Sequence, residues 1–156
     1  MIDTDLLAAR VAEKLAPYLW NNAILDALYP EDEQYINSPN NVADLLQTEN
    51  LEQENLFVIC LNTKNRILSI ERLYKGAVNS TTVRIAEIFR TAVRLNASSI
   101  VLAHNHPSGD PIPSPDDIST TKQIQQAGEL LEITVLDHVV LGRGGRFYSM
   151  KSEGIF

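Results

Sequence analysis

Residues 98–106, SSIVLAHNH, carry an unbroken apolar stretch straight into two histidines, and this junction constrains the chain most. A run of this kind is the habit of a strand buried on both faces of a sheet. Helices must then cover the sheet on both sides. Where the strand runs out, residues i and i+2 project to one face, so His104 and His106 converge while Asn105 points away. Two of the three histidines of the 156-residue chain lie here.

The segment that follows is equally legible. Pro107-Ser108-Gly109-Asp110-Pro111 turns the chain, and Ser114-Pro115-Asp116-Asp117 reads as a helix start. Serine caps, proline takes the first helical position, and Asp117 falls at the third. The first turn of that helix can bring the Asp117 carboxylate to the two imidazoles. Two nitrogens, one oxygen and a fourth position left to water make the ligand set of a catalytic zinc. Such an ion lowers the pKa of its bound water to about 7. Singly, a histidine is more often structural, and an Asp in a first turn often serves only the helix dipole. The agreement of strand end, turn and helix start is what points to metal. Asp116 is expected to face solvent.

The rest of the chain supplies the frame. LFVICLN at 56–62 is a second buried strand, Thr63-Lys64-Asn65 a turn, and RILSIERLY at 66–74 the return strand of a hairpin. Val83 to Asn96 is an amphipathic helix through Val83, Ile85, Ile88, Phe89, Ala92, Val93 and Leu95. Ser114 to Gly128 is a helix, followed by a strand at 132–141 and a final hairpin through Gly142–Gly145. Upstream, 38–47 is a helix with Ser38 as cap, Pro39 at its first position and Val42, Leu45 and Leu46 facing inward. Residues 3–19 and 20–29 have helical spacing, 31–33 is a solvated acidic loop, and 76–82 is a loop. This order predicts an α/β fold with a mixed β-sheet sandwiched by helices. A helical lead-in at 1–35 precedes one domain at 36–156.

Composition narrows the function classes. No apolar run approaches the ~20 residues that span a bilayer, and the N-terminus lacks the pattern of a signal peptide. Cys60, the single cysteine, is expected in the core; alone it suits a reducing cytoplasm and excludes a cysteine-rich zinc site. The formal charge is -7, with nine acidic against two basic side chains in residues 1–50 and eleven of each in 51–156. No concentrated basic face is present, so direct nucleic-acid binding is not expected.

At the site residues the chain resembles a known family. His104-x-His106-Pro107, six residues, Ser114, two residues and Asp117 match the JAMM motif of MPN-type zinc metalloproteases. The fuller wording HNHPSGDPxPSxxD, with DHVVLG at 137–142, resembles the RadC family in particular, from about Ile36 to the C-terminus. The resemblance implies an MPN (JAMM) fold with cytidine-deaminase-like topology, a zinc cofactor, and hydrolysis of a peptide or isopeptide bond in a protein or peptide substrate. It implies that Glu54, just ahead of LFVICLN, is the general base and later the general acid. Glu52 is the nearby alternative, and Glu71 is less well placed. It also credits Ser114 with stabilising the oxyanion, although the sequence alone accounts for Ser114 as a helix cap. Asp137 and His138 look like a buried hydrogen-bonding pair, with support of a metal ligand as a second role. Asn105 either orients the loop or contacts substrate.

The chain departs from the family in two places. RadC proteins commonly carry an N-terminal helix-hairpin-helix region, for which residues 1–35 are short and acidic. A family segment resembling VHPRE is here Val83-Arg84-Ile85-Ala86-Glu87. The alternative function is a DNA-repair or mobile-element accessory protein with a non-catalytic zinc. An HNH nuclease is suggested only by the letters His-Asn-His, which that motif does not place consecutively.

Overall fold

The computed structural model of the chain describes residues 34–46, 52–75 and 83–155. The helices expected at 3–19 and 20–29, the acidic loop at 31–33 and the loop at 76–82 lie outside the described residues. Among the described residues three helices and five strands follow in the order α1 (Pro39–Leu46), β1 (Asn55–Leu61), β2 (Ile67–Lys75), α2 (Ile85–Arg94), β3 (Ser99–Asn105), α3 (Pro115–Leu131), β4 (Thr134–Leu141) and β5 (Phe147–Ser149). The strands form one sheet in the order β2-β1-β3-β4-β5. Only β3 and β4 pair in parallel; the other neighbours are antiparallel, so the sheet is mixed as expected.

The apolar runs explain the layering. Every residue of β1 is buried, and its side chains alternate between two cores. Leu56, Val58 and Cys60 join Ile100 and Leu102 of β3 beneath α2 and α3, with Ile88, Phe89, Ala92 and Ile124. Phe57, Ile59 and Leu61 join Val101 and Ala103 on the other face, under Val42 and Ala43 of α1. Full burial of an Ile, Leu or Phe side chain contributes about 1.5–3 kcal/mol, so β1 and β3 alone hold much of the fold together. Cys60 is a free thiol in the core, and burial pushes its pKa up, with Ser69 opposing and Glu71 adding to the rise.

Three local expectations are corrected. Ser38 was expected to cap α1, but its hydroxyl is hydrogen-bonded to Asn41 Oδ1 at 3.2 Å, and that same oxygen accepts the N–H groups of Asn37 and Ser38 at 3.0 Å each. Asn41 thus accepts the N–H of the residue before the helix, while Ser38 keeps the cap position and its hydroxyl bonds the Asn41 side chain, not a main-chain N–H of the first turn. Val93 is 57% exposed and lies off the inward face of α2. Gly128, expected to end α3, lies inside it; the helix runs on to Leu131 and closes on Glu132 in the left-handed conformation, φ 56°. A Cβ on Gly128 would stand 2.5 Å from the Ile133 carbonyl oxygen and 3.3 Å from Phe89. Glycine is therefore there for close approach of α3 to the start of β4. Among the described residues no helix is long and apolar enough to cross a membrane.

Candidate metal centre

The site forms where β3 ends between two neighbours. Antiparallel pairing sets Leu56 of β1 opposite His104, which brings Glu54, just ahead of β1, beside the histidine pair. Parallel pairing with β4 continues past the strand, where the His106 N–H donates to the Leu141 carbonyl at 2.9 Å. His104 is fully buried and His106 lies at the rim. Their Nε2 atoms converge to 3.0 Å, as the i, i+2 spacing predicted.

The turn after His106 is held by its own backbone and by two arginines. Gly109, at φ +85°, donates its N–H to the His106 carbonyl at 2.9 Å. Arg143 donates to the Pro107 carbonyl at 2.9 Å and Arg146 to the Gly109 carbonyl at 2.8 Å. The carbonyl of Asp110 accepts from His106 Nδ1 at 2.8 Å. A carbonyl only accepts, so Nδ1 of His106 carries a hydrogen, and in the neutral ring the Nε2 lone pair faces the site.

Helix α3 supplies the carboxylate. Ser114 and Asp117 form a reciprocal capping box: Ser114 Oγ accepts from the Asp117 N–H at 3.1 Å, and Asp117 Oδ2 accepts from the Ser114 N–H at 2.7 Å. The Ser114 hydroxyl also donates to Asp117 Oδ2, at 2.6 Å. Serine thus fixes the carboxylate's rotamer and directs its own proton there. Asp117 Oδ1 lies 3.5 Å from His104 Nε2 and Oδ2 lies 3.5 Å from His106 Nε2. Asp116 is exposed, as expected.

Glu54, His104, His106 and Asp117 each present one ligand atom, and these four atoms all lie within 4.8 Å of one another. Of the three glutamates considered from the sequence, Glu54 is the one in the cluster. Glu52 is exposed outside it, and Glu71 accepts from Thr91 Oγ1 at 2.6 Å on the β2–α2 side. The two Nε2 atoms face each other at 3.0 Å beside the Asp117 carboxylate, so a proton or a cation must lie between them. Two ligands about 2.0–2.1 Å from one tetrahedral ion stand ~3.3 Å apart, close to the 3.0 Å and 3.5 Å separations found here. The residues fit a metal ion.

Electrostatics agree with that. Burial works to raise the Asp117 pKa, but hydrogen bonds from His104 and His106, the charge of His104 and the Ser114 hydroxyl outweigh it, holding the carboxyl well below its usual range. The hydrogen bond to Asp117 lifts His106 above its ordinary value against the pull of burial, with Asp110 and the charges of Asp117 and Glu54 adding to the rise.

Two residues take unexpected places. The Asp137 carboxylate does not touch the His138 ring; it accepts the N–H groups of His138 at 2.7 Å and Lys151 at 3.1 Å, and the Ser149 hydroxyl at 2.6 Å. It secures the C-terminal turn. The His138 ring instead lies 2.7 Å from His104 Nδ1 and 2.6 Å from Thr121 Oγ1. Thr121, fully buried, was not foreseen, although its i+4 spacing from Asp117 places it on the same face of α3. Asn105 points away from the imidazoles and orients the chain around Glu54: it accepts from the Asn55 N–H at 2.8 Å and donates to the Gln53 carbonyl at 3.0 Å.

Residues 36–155 match the family described as the RadC-like JAB domain. The chain belongs to the RadC family. Among its relatives in that family, a UPF0758 protein of Roseiflexus castenholzii is 52% identical over 127 residues, covering 80% of this chain and 54% of the relative. A UPF0758 protein of Chloroflexus aggregans is 48% identical over 127 residues, 80% of this chain and 55% of the relative. One from Desulforudis audaxviator is 42% identical over 123 residues. This RadC chain spans about half the length of the curated relatives it matches.

Proposed function

We propose that this RadC domain is a zinc-dependent hydrolase of a peptide or isopeptide bond in a protein or peptide substrate. The observation that carries the reading is the convergence of Glu54, His104, His106 and Asp117 within 4.8 Å. His104 Nε2, His106 Nε2 and the Asp117 carboxylate would hold the ion. Bound there, zinc supplies an acidified water and a positive charge that polarises the scissile carbonyl.

The chain's own residues do the rest. Glu54, held beside the histidines, takes the proton of the attacking water and passes it to the leaving amine. Asn105 fixes the backbone on both sides of Glu54, so the carboxylate meets the water without a search. Ser114 orients Asp117 and, on turning its hydroxyl toward the substrate, donates to the oxygen that gains charge. The MPN fold with cytidine-deaminase-like topology belongs to the same reading, and so does a reducing cytoplasmic setting, which suits the free Cys60.

Glu54→Gln tests it. Zinc content should match the unaltered protein while cleavage of a fluorogenic peptide and branched-isopeptide panel is lost. A Glu54→Gln protein that cleaves at the original rate removes the mechanism. Salt-dependent DNA binding with no zinc-dependent cleavage would favour the accessory role instead.

A further inference from the structure

We propose that His138 and Thr121 are positioning residues that set the tautomer of His104 from the far side of the metal centre. The inference rests on the reading that His104 Nε2 is a metal ligand, and the argument runs inward from two ends. At the outer end, Thr121 Oγ1 lies 2.6 Å from the Asp117 main-chain carbonyl. A carbonyl only accepts, so the single hydroxyl hydrogen goes there and only lone pairs remain for His138 Nδ1 at 2.6 Å. His138 Nδ1 must therefore carry a hydrogen. At the inner end, a ligand lone pair on His104 Nε2 leaves the hydrogen of that ring on Nδ1. This atom faces His138 Nε2 at 2.7 Å, which must then accept. Both deductions require the same His138 tautomer, with hydrogen on Nδ1 and a lone pair on Nε2.

The relay is sealed. His104 and Thr121 are fully buried and His138 is 3% exposed, so water cannot stand in for a missing partner. Strand pairing fixes the spacing: Leu102 of β3 pairs with His138 of β4, two residues before His104 opposite Val140. The nearest carboxylate in sequence, Asp137, is turned away into the C-terminal turn. Imidazole ligands usually give their outer N–H to a carboxylate, a carbonyl or water. Here a second imidazole takes it and adds no negative charge to the site, which preserves the ion's pull on its water.

Thr121→Val keeps the shape and deletes the hydroxyl; Thr121→Ser restores it. Zinc affinity, read by competition with a chromophoric chelator, should fall 10–100-fold in Thr121→Val and return in Thr121→Ser, with the metal-free unfolding midpoint of each variant measured in parallel. Nitrogen-15 NMR of the metal-free protein should place the His138 hydrogen on Nδ1. Folded Thr121→Val with unaltered zinc affinity, or hydrogen on His138 Nε2 alone, overturns the proposal. If Thr121→Val does not fold, the tautomer decides. If the unaltered protein binds no zinc, the metal reading fails, whereas the His138 tautomer still tests the relay by itself.

Discussion

Asn105 Oδ1 accepts the main-chain N–H of Asn55 at 2.8 Å, so the residue between the two metal-site histidines grips the backbone next to Glu54. The same amide donates to the Gln53 carbonyl on the other side of Glu54 at 3.0 Å. One side chain thereby couples the proposed proton carrier to the strand that delivers the proposed ligands.

Asn105→Ala is expected to lower stability by about 1–3 kcal/mol, because its bonds to Asn55 and Gln53 are lost and the N–H of the buried Asn55 is left without its acceptor. Zinc stoichiometry should persist, since the imidazoles face the other way, while turnover falls with the loosened Glu54. Urea denaturation alongside metal analysis checks both; unaltered stability would contradict the clamp.

Ser114→Ala removes the hydroxyl's half of the α3 capping box and leaves the main-chain N–H bond to Asp117 Oδ2 at 2.7 Å; a loss of about 1 kcal/mol is expected from the cap alone. Zinc affinity should fall as well, because the Ser114 hydroxyl bonded to Asp117 Oδ2 at 2.6 Å no longer holds the carboxylate's rotamer. A variant with lower stability but full zinc affinity would confine Ser114 to capping.

Zinc affinity should climb with pH through the His106 titration. His106 is raised above its ordinary value, first by its hydrogen bond to Asp117. The metal-free ring therefore keeps its proton at pH values where a free imidazole has lost it, and the ion must displace that proton. Affinity is expected to be lowest below about 6.5 and to level off above the raised value. In the metal-free protein the raised His106 stabilises at pH below about 6.5, and that contribution fades as pH rises through its folded value. Asp117, depressed in the fold, stabilises above about 3.9 and loses this as acid protonates it. Isothermal titration at several pH values reads the first effect, and affinity independent of pH would contradict it.

Gly128→Ala sets two effects against each other. Alanine in a helix interior is favoured by about 1 kcal/mol over glycine, but its Cβ would stand 2.5 Å from the Ile133 carbonyl oxygen. Overpacking of this kind costs about 1–3 kcal/mol, so net destabilisation is expected in thermal unfolding. A stabilised variant would show that α3 can move away from β4.

What could be read from the letters was what is encoded locally. The apolar run into His104 and His106, the turn at Gly109 and the Ser114–Asp117 cap each depend on neighbours a few positions apart, and the structure brings them together as the spacing required. Glu54 was reachable only through the family resemblance, because its approach depends on antiparallel pairing of Leu56 with His104, about fifty residues away. Thr121 and His138 meet by packing of α3 on β4, which no local pattern announces. Ser38 and Gly128 were misread for the opposite reason: their local signals are real, but the Asn41 side chain and the Ile133 carbonyl decide the outcome.

The central claim is that these residues hold zinc, and anomalous diffraction at the zinc edge from crystals grown with the ion tests it most directly. The predicted result is one peak per chain bonded to His104 Nε2, His106 Nε2 and the Asp117 carboxylate at about 2.0–2.2 Å, with the Glu54 carboxylate facing the remaining position. No peak among these residues, or an ion held elsewhere on the chain, would contradict the account.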